Sequence, residues 1–391
     1  MNSASSLASG AGLPLPQTGL QTEDSQAIDG LRGLAALIVV ASHASNMGLH
    51  WLPGVSFSGS GKYGVYLFFV ISAFLLTHQW LQAPPAQQRS GRFLGAYLGR
   101  RVLRIYPLYA LVLLAGWLLP PPGLGVPMDG AALARHLALW EGRDLYWSVP
   151  VEFMYYLVIP PLALWLATAL APRWRLLGVL VLLAAALAVW PSAQAPLNSI
   201  ALGYYLPLFL AGSMVAWRVS RQSPGKGVAS GPASGPAGGV ATGVATGVTG
   251  GVTGGVTGAV SWLDAAALLL LALSVPSVFQ GLGWSQDIAA LHRSFVGWGV
   301  FWGLLLLALL AGRLPLWHRL LGWSGMRACG RWCFGLYLLH MPALYLCKVL
   351  PLPSWSKGGL ALLVAVAVAA AAHRIVERPA MALGRRLFRS R

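Results

Sequence analysis

Two ionisable side chains lie within one apolar stretch near the start of the chain. His43 follows Arg32 by eleven positions. On an α-helix this spacing amounts to three turns and about 20°, so both side chains lie on one face, about 16 Å apart along the axis. Ionisable groups inside a lipid bilayer are costly, and they usually face the interior of a helix bundle and mark functional sites. The structural alternative is an arginine that extends to the inner interface and a histidine that hydrogen-bonds a neighbouring helix.

A carboxylate is predicted at the same depth as this histidine. Glu152 alone among the ten acidic residues falls well within an apolar span. It is expected about 8 Å below the outer surface, and His43 about 24 Å from the inner surface of a ~30 Å layer, so the two depths coincide. A histidine and a carboxylate at one depth can act as a general base with its orienting partner, or as an acid–base pair. The alternative is a neutral, buried carboxylic acid packed against tyrosines.

Three arginines lie at the inner end of the third apolar span. Arg100 and Arg104 are spaced i, i+4, and Arg101 and Arg104 are spaced i, i+3, so the three share a helix face within one turn. Three guanidinium groups, with Arg32 close by, suit a polyphosphate ligand. The alternative is the ordinary basic flank of a membrane helix.

Other polar residues within apolar stretches are weaker candidates. Ser72 and His340 are each placed near the middle of a span, where small and polar side chains often serve to pack membrane helices. Cys329, Cys333 and Cys347 have no metal-binding or redox spacing. We expect Cys329 and Cys333, at i, i+4 on one helix, to contribute to packing, and we predict no disulfide framework.

The elements that position these residues must cross a membrane. Of the 391 residues, 57% are hydrophobic and 9% are charged, and apolar runs long enough to span a bilayer recur along the chain. The runs lack the alternation of barrel strands, so the sequence predicts an all-α, polytopic integral membrane protein. Ten spans are predicted, at roughly 27–47, 63–83, 104–120, 147–169, 175–191, 198–217, 261–280, 294–312, 332–350 and 357–375.

The basic residues set the orientation of these spans. With the N-terminus in the cytoplasm, 21 of the 27 Lys and Arg residues fall on the inner side and six on the outer side. This bias agrees with the positive-inside rule and predicts that both termini are cytoplasmic. The net charge of +17 is therefore a consequence of topology, and no nucleic-acid partner is predicted. High usage of Ala, Gly, Leu and Arg favours a bacterial inner membrane, with membrane lipid around the spans.

The spans form one membrane domain with flexible additions. We predict a membrane domain over 27–380, a disordered cytoplasmic tail over 1–26 and a basic cytoplasmic tail over 381–391. Residues 222–260 consist of Gly-Val-Ala-Thr and Gly-Val-Thr-Gly units, a composition typical of a flexible linker. No soluble segment is long enough for a catalytic domain, so the spans and their short loops must carry any chemistry.

Several short motifs, in order along the chain, resemble those of the acyltransferase family 3 membrane proteins. The resemblance runs from Asp29 to the end of the chain, without the linker. The motifs are Asp29-Gly-Leu-Arg32-Gly with the Arg-x10-His spacing to His43, Leu67-Phe-Phe-Val-Ile-Ser72, Arg101-x-x-Arg104-Ile-x-Pro107, Trp147-Ser148-x-x-x-Glu152, Leu336-Tyr337-Leu-Leu-His340-x-Pro342 and Glu377-x-Pro379. The chain departs from the family's pattern at Ala73, where glycine is usual, and at Phe153, where a second acidic residue is common.

The resemblance implies a ten-helix membrane enzyme that modifies polysaccharide of the cell envelope. Such an enzyme transfers an acyl group, most often acetyl, from cytoplasmic acyl-coenzyme A to a hydroxyl of an extracytoplasmic or lipid-linked glycan. It needs no metal, and both the Arg-x10-His pair and the arginine run are regarded as essential.

These roles combine with the residues above into one mechanistic hypothesis. Arg100, Arg101 and Arg104, aided by Arg32, bind the phosphates of the donor. His43 acts as the general base, with Glu152 orienting it or taking the proton. The residues expected to contact the substrates are Trp147, Ser148, Tyr155, Ser72 and His340.

A proton-coupled transporter or flippase is the alternative from another functional class. His43, Glu152 and His340 could form a proton relay across the membrane. A coenzyme A site needs clustered guanidinium groups on the inner side, whereas a carrier does not. The arginines therefore favour the acyltransferase.

Overall fold

The computed structural model describes residues 20, 22–52, 54–119, 128–222, 260–285 and 287–388. Within these ranges the chain is helical and contains no β-strand, which confirms the predicted all-α class. The α-helices are α1 (Thr22–Asn46), α2 (Gly61–Leu81), α3 (Pro85–Gln88), α4 (Gly91–Leu118), α5 (Gly130–Leu137), α6 (Ser148–Leu166), α7 (Pro172–Val189), α8 (Leu202–Gln222), α9 (Trp262–Leu273), α10 (Pro276–Gly281), α11 (Ile288–Arg293), α12 (Phe295–Leu310), α13 (Pro315–Gly322), α14 (Ser324–Arg331), α15 (Cys333–Lys348), α16 (Ser354–Ala372) and α17 (Arg378–Leu387). Asp144–Trp147 and Ser192–Gln194 are 3₁₀ turns, and His373–Glu377 is a π-helical segment that joins α16 to α17.

Each predicted span coincides with one or more of these helices, although the helices differ in length and polarity. Six helical segments in the described part of the chain are long and apolar enough to cross a membrane, and the bent pair α12–α13, with an angle of 89°, would make a seventh. The six are Thr22–Asn46, Gly61–Leu81, Gly91–Leu118, Asp144–Leu166, Pro172–Val189 and Ser354–Leu387. A multi-pass membrane protein is therefore supported, while the count of ten spans and the cytoplasmic position of the termini stay predictions.

The predicted domain boundaries meet the structure at three places. α1 begins at Thr22, so the last residues of the predicted N-terminal tail are helical. The predicted linker lies outside the described residues, except for Gln222 at the end of α8 and Val260. The basic C-terminal segment is largely the helix α17, which packs against α4.

The first predicted motif positions α1 by close backbone contact. A Cβ atom added at Gly33 would overlap the carbonyl oxygen of Met326 in α14, and one added at Gly330 would overlap that of Asp29. On the opposite side, a Cβ at Gly64 of α2 would overlap the carbonyl oxygen of Ala35. Small residues let helices approach to backbone contact in this way. Gly33 of the Asp-Gly-Leu-Arg-Gly motif, together with Gly330 and Gly64, thus fixes the height at which Arg32 and His43 lie relative to α2 and α14.

α2 is the central helix of the bundle. It packs most extensively against α8 and also against α1, α6 and α12. Its apolar face is aromatic: Tyr66, Phe69 and Phe74 are fully buried, and Phe69 stacks on Phe209 of α8 with 4.5 Å between ring centroids. Aromatic pairs at such distances add to the energy of burial. α2 therefore forms one firmly packed wall of the space that it encloses with α1, α6 and α15.

Candidate active site

A narrow cavity, here called the arginine cavity, lies between α1, α2, α4, α6 and α15. Its volume is about 90 Å³, and its polar lining consists of Arg32, Arg101, Arg104, Ser72, Ser148, Glu152, Tyr156, Tyr337 and Cys333. Apolar side chains, among them Val65 and Ile105, complete the wall. The structure thus brings together three of the four arginines that the sequence pointed to.

The guanidinium groups of the arginine cavity keep hydrogen-bond donors free. Arg101 Nη2 donates to Gln79 Oε1 at 3.1 Å, while its Nε is buried without a partner. Arg104 makes no hydrogen bond or ion pair with any residue in the described part of the chain. Glu152 is the one carboxylate in the lining, so three guanidinium groups outweigh it. The cavity is therefore positively charged and suits an anionic ligand.

Arg100 does not share this cavity. Its Nη1 donates to the carbonyl oxygen of Phe388 at 3.0 Å, so the side chain reaches the end of α17. The i, i+4 spacing from Arg104 placed both residues on one helix face, but Arg100 lies one turn nearer the surface, where α17 packs against α4. The prediction that Arg100 binds the donor is not supported by this geometry.

Glu152 also lies in a different place from the one predicted. Its Oε1 accepts a hydrogen bond from Ser72 Oγ at 2.8 Å, and it lines the arginine cavity rather than the space around His43. The prediction started the span of Glu152 at position 147, but the helical segment begins three residues earlier, at Asp144, with a 3₁₀ turn that rises about 2.0 Å per residue. Glu152 is thus about 14 Å from the start of its span, whereas His43 is three residues from the end of α1. The predicted pairing of Glu152 with His43 is wrong.

A larger cavity, here called the histidine cavity, lies beyond the arginine cavity along the same helices. Its volume is about 430 Å³, and its polar lining includes His43, Lys62, Asp144, Asn198 and His292. Lys62 Nζ lies 5.5 Å from the centroid of the Trp147 ring, a cation–π distance. The histidine cavity is therefore larger than the arginine cavity, and charged side chains of both signs lie in its wall.

The partner of His43 is His340. His340 Nδ1 lies 2.8 Å from the carbonyl oxygen of Tyr337 and 3.1 Å from that of Leu336. Carbonyl oxygens only accept, so Nδ1 of His340 carries the proton, and Nε2 of the neutral ring is an acceptor. His43 Nδ1, 2.6 Å from that Nε2, must then donate to it.

This hydrogen bond leaves Nε2 of His43 unprotonated. A Cβ added at Gly61 would lie 3.9 Å from this nitrogen, so Nε2 faces the N-terminus of α2, in the histidine cavity. An imidazole nitrogen with a free lone pair, oriented through its other nitrogen, has the arrangement of a general base. His340 itself is fully buried and lines neither cavity, so its side chain contacts His43 and does not face the space in which the prediction placed a substrate.

The remaining predicted contact residues have separate positions. Ser72 and Ser148 line the arginine cavity. Trp147 lines the histidine cavity, but its ring is 4% exposed and packs against Phe69 and the ring of Tyr205, so little of its face is open to a sugar. Tyr155 lines neither cavity.

The position of Tyr155 has a simple cause. Its ring stacks on Phe209 at 4.1 Å, and its hydroxyl lies 2.7 Å from Ser213 Oγ, so the side chain serves the contact of α6 with α8. The prediction that Tyr155 contacts substrate is not supported.

Cys333 is a site residue that the sequence did not identify. Arg32 Nη2 donates to Cys333 Sγ at 3.2 Å, and Arg32 Nη1 lies 3.7 Å from Asp29 Oδ1. Cys329 belongs to α14 and Cys333 to α15, so the two cysteines do not share one helix as expected, because the chain breaks at Trp332. No local sequence pattern predicts this contact, since it joins residues 301 positions apart.

Lys62, Asp144 and His292 were also missed as lining residues. Burial lowers the pKa of His292 below its ordinary value of 6.5, although a hydrogen bond to Gly59 O, at 2.6 Å, opposes the shift. The neutral ring therefore donates from Nε2 and ties α11 to the loop before α2. In the described residues no group of three or more His, Cys, Asp or Glu side chains could hold a metal ion.

Comparison with known proteins gives one match. A family model described as an acyltransferase domain matches residues 25–374, most of the chain. No curated protein and no solved structure matches the chain.

Proposed function

The chain belongs to the acyltransferase 3 family, and we propose that it moves an acyl group, acetyl in the simplest case, from acyl-coenzyme A to a hydroxyl of an extracytoplasmic or lipid-linked glycan. The observation that carries this proposal is the pair of stacked cavities. One presents three guanidinium groups, and the other presents the unprotonated nitrogen of His43.

The arginine cavity fits the donor side of the reaction. Arg101 and Arg104 have free hydrogen-bond donors for phosphate oxygens. Arg32 lies eleven positions before His43 on the same face of α1. With a volume of about 90 Å³ the cavity holds a narrow, extended chain and not a nucleotide. We therefore expect the nucleotide to remain at the mouth formed by the arginines, while the pantetheine arm extends toward the histidine cavity.

The histidine cavity fits the acceptor side. The acceptor hydroxyl donates to Nε2 of His43 and gives up its proton as its oxygen attacks the thioester carbonyl. The carbon–sulfur bond then breaks, coenzyme A leaves as a thiolate, and the imidazolium returns the proton to that sulfur. His340 Nε2 accepts from Nδ1–H of His43 throughout, and this hydrogen bond strengthens when His43 is charged.

Glu152 takes a different role from the one predicted. It holds Ser72 Oγ at 2.8 Å and places one negative charge among three positive ones. A carboxylate there offsets the mutual repulsion of the guanidinium groups before the donor binds. We propose that Glu152 organises the donor site and takes no proton from the acceptor.

The geometry favours acyl transfer over the transporter. A relay of His43, Glu152 and His340 needs the three groups in one chain of hydrogen bonds. His43 and His340 are in contact, but Glu152 lines the other cavity with the arginines. A carrier has no need of that cluster.

Transfer of radiolabelled acetyl from acetyl-coenzyme A to envelope glycans, in membrane vesicles that contain the protein, tests the proposal. Wild-type vesicles should label the glycan, and His43→Ala should lower the rate by about 10²–10⁴-fold, the usual contribution of a general base. Full labelling by His43→Ala, at equal protein content, would refute the role of His43. No labelling by wild-type vesicles that bind the donor would refute the acceptor class.

A further inference from the structure

The two cavities follow one another along the same helices. On α1, Arg32 lines the arginine cavity and His43 the histidine cavity. On α15, Cys333 lines the first and Met341 the second. The cavities are therefore two chambers of one path between these helices, interrupted at a single level.

Two side chains, one aliphatic and one aromatic, lie at the level of the interruption. Among the described residues, Val65 of α2 and Tyr337 of α15 alone line both cavities. Val65 is 5% exposed and Tyr337 is 6% exposed. We call these two residues the partition.

Hydrogen bonds hold the tyrosine of the partition in place. Its hydroxyl donates to the carbonyl oxygen of Leu145 at 2.5 Å and accepts from Ser148 Oγ at 2.9 Å. The ring also meets Phe68 edge to face, with 6.4 Å between centroids. Both hydrogen-bonding functions of the hydroxyl are thus satisfied in the closed position. Rotation of the ring out of the path would break both bonds.

A path that stays open between the two cavities would allow hydrolysis of the thioester. His43 Nε2 faces a polar cavity of about 430 Å³, in which it can activate water as readily as a sugar hydroxyl. If the thioester reached His43 before the acceptor arrived, water would attack the carbonyl carbon. The carbon–sulfur bond would break, and a free carboxylic acid and coenzyme A would form. Exclusion of water is what separates a transferase from a hydrolase in such a site.

We infer that Val65 and Tyr337 make the enzyme select an acceptor hydroxyl over water, by keeping the thioester out of the histidine cavity until an acceptor occupies it. This inference rests on the proposed function. Because each hydrogen bond of Tyr337 biases the closed position by roughly two- to tenfold, loss of both should raise the open population by about four- to a hundredfold. Hydrolysis without acceptor should rise in the same proportion.

The test needs the donor alone. Purified protein is incubated with acetyl-coenzyme A in the absence of acceptor, and free coenzyme A is measured by chromatography. Tyr337→Phe keeps the ring and removes both bonds, Ser148→Ala removes one, and Val65→Ala widens the partition without touching either. Matched controls are Tyr109→Phe, which loses a buried hydroxyl bonded to His136 O, and Val112→Ala, a buried valine; both lie outside the two cavities.

We expect release of coenzyme A to rise by about four- to a hundredfold in Tyr337→Phe, to rise less in Ser148→Ala, and to stay at the wild-type rate in the controls. A second substitution, His43→Ala, should return Tyr337→Phe to the wild-type rate, since the hydrolysis uses that base. If the partition variants bind acetyl-coenzyme A, as judged by thermal stabilisation, yet release it no faster than the controls, the inference is wrong and the proposed function stands. If acetyl-coenzyme A does not stabilise the wild-type protein at all, the proposed function is wrong, and the inference with it.

Discussion

His340 provides the sharpest test of how His43 is held. The substitution His340→Ala removes the acceptor that lies 2.6 Å from His43 Nδ1 and leaves Nε2 of His43 in the histidine cavity. A neutral hydrogen bond contributes about 0.5–1.5 kcal/mol, which corresponds to roughly 2- to 13-fold in the population of the correctly oriented ring and tautomer. We therefore expect kcat to fall by about that factor, with the donor KM unchanged.

The assay compares three variants for acetyl transfer to envelope glycans in membrane vesicles. His340→Gln offers a side-chain oxygen as acceptor and should recover part of the rate. His43→Ala removes the base and should cost far more, about 10²–10⁴-fold. Thermal unfolding of each variant separates loss of rate from loss of fold, because His340 is fully buried. Equal losses in His340→Ala and His43→Ala would mean that His340 itself reacts, and an unchanged rate in His340→Ala would refute the orienting role.

Three further predictions concern the donor site, the loop before α2 and the helix contact below Arg32. Methyl methanethiosulfonate, a thiol reagent small and narrow enough for the arginine cavity, should modify Cys333, and saturating coenzyme A should slow this reaction by about tenfold or more while that of Cys329 is unchanged. Peptide mass spectrometry would give both rates, and equal rates with and without coenzyme A would place the donor elsewhere. Folding lowers the pKa of His292 below 6.5, so the unfolded chain binds more protons, and the free energy of unfolding should fall as the pH drops below about 6.5. The variant His292→Gln can still donate to Gly59 O, and its unfolding curves should show a smaller fall with pH. Identical pH profiles for the wild type and the variant would contradict the assignment. Gly330→Ala should destabilise the protein by about 1–3 kcal/mol, because the new Cβ would overlap the Asp29 carbonyl oxygen. Gly95→Ala, whose Cβ would have no atom within 4 Å, is the control. Equal melting temperatures for the two variants would mean that α14 can move away from α1 at no cost.

Sequence reasoning was accurate where one helix decides the geometry. The separation of Arg32 and His43 along one face depends only on helical rise and twist, and the two residues line two neighbouring cavities between the same helices. The i, i+3 pair of Arg101 and Arg104 is correct for the same reason. The family resemblance, carried by short motifs at the ends of helices, agrees with the match to the acyltransferase domain.

Sequence reasoning was inaccurate where two helices must meet. The depth of Glu152 depended on a 3₁₀ turn, and a shift of a few residues moved it from one cavity to the other. The position of Arg100 depended on the docking of α17, which no local pattern reveals. The contact of His43 with His340 joins residues 297 positions apart and needs the relative height of α1 and α15, which no local pattern reveals.

The central claim is that the arginine cavity binds the donor, and thermal unfolding with acetyl-coenzyme A tests it without knowledge of the acceptor. A ligand that binds only the folded state stabilises it by about 2.7 kcal/mol at a concentration one hundred times its dissociation constant. The wild-type protein should show a saturable rise in melting temperature. The double variant Arg101→Ala/Arg104→Ala should lose this rise, and Arg100→Ala, whose side chain bonds to Phe388 O outside the cavity, should keep it. A well-folded wild-type protein with no rise, or a double variant with the full rise, would contradict the account.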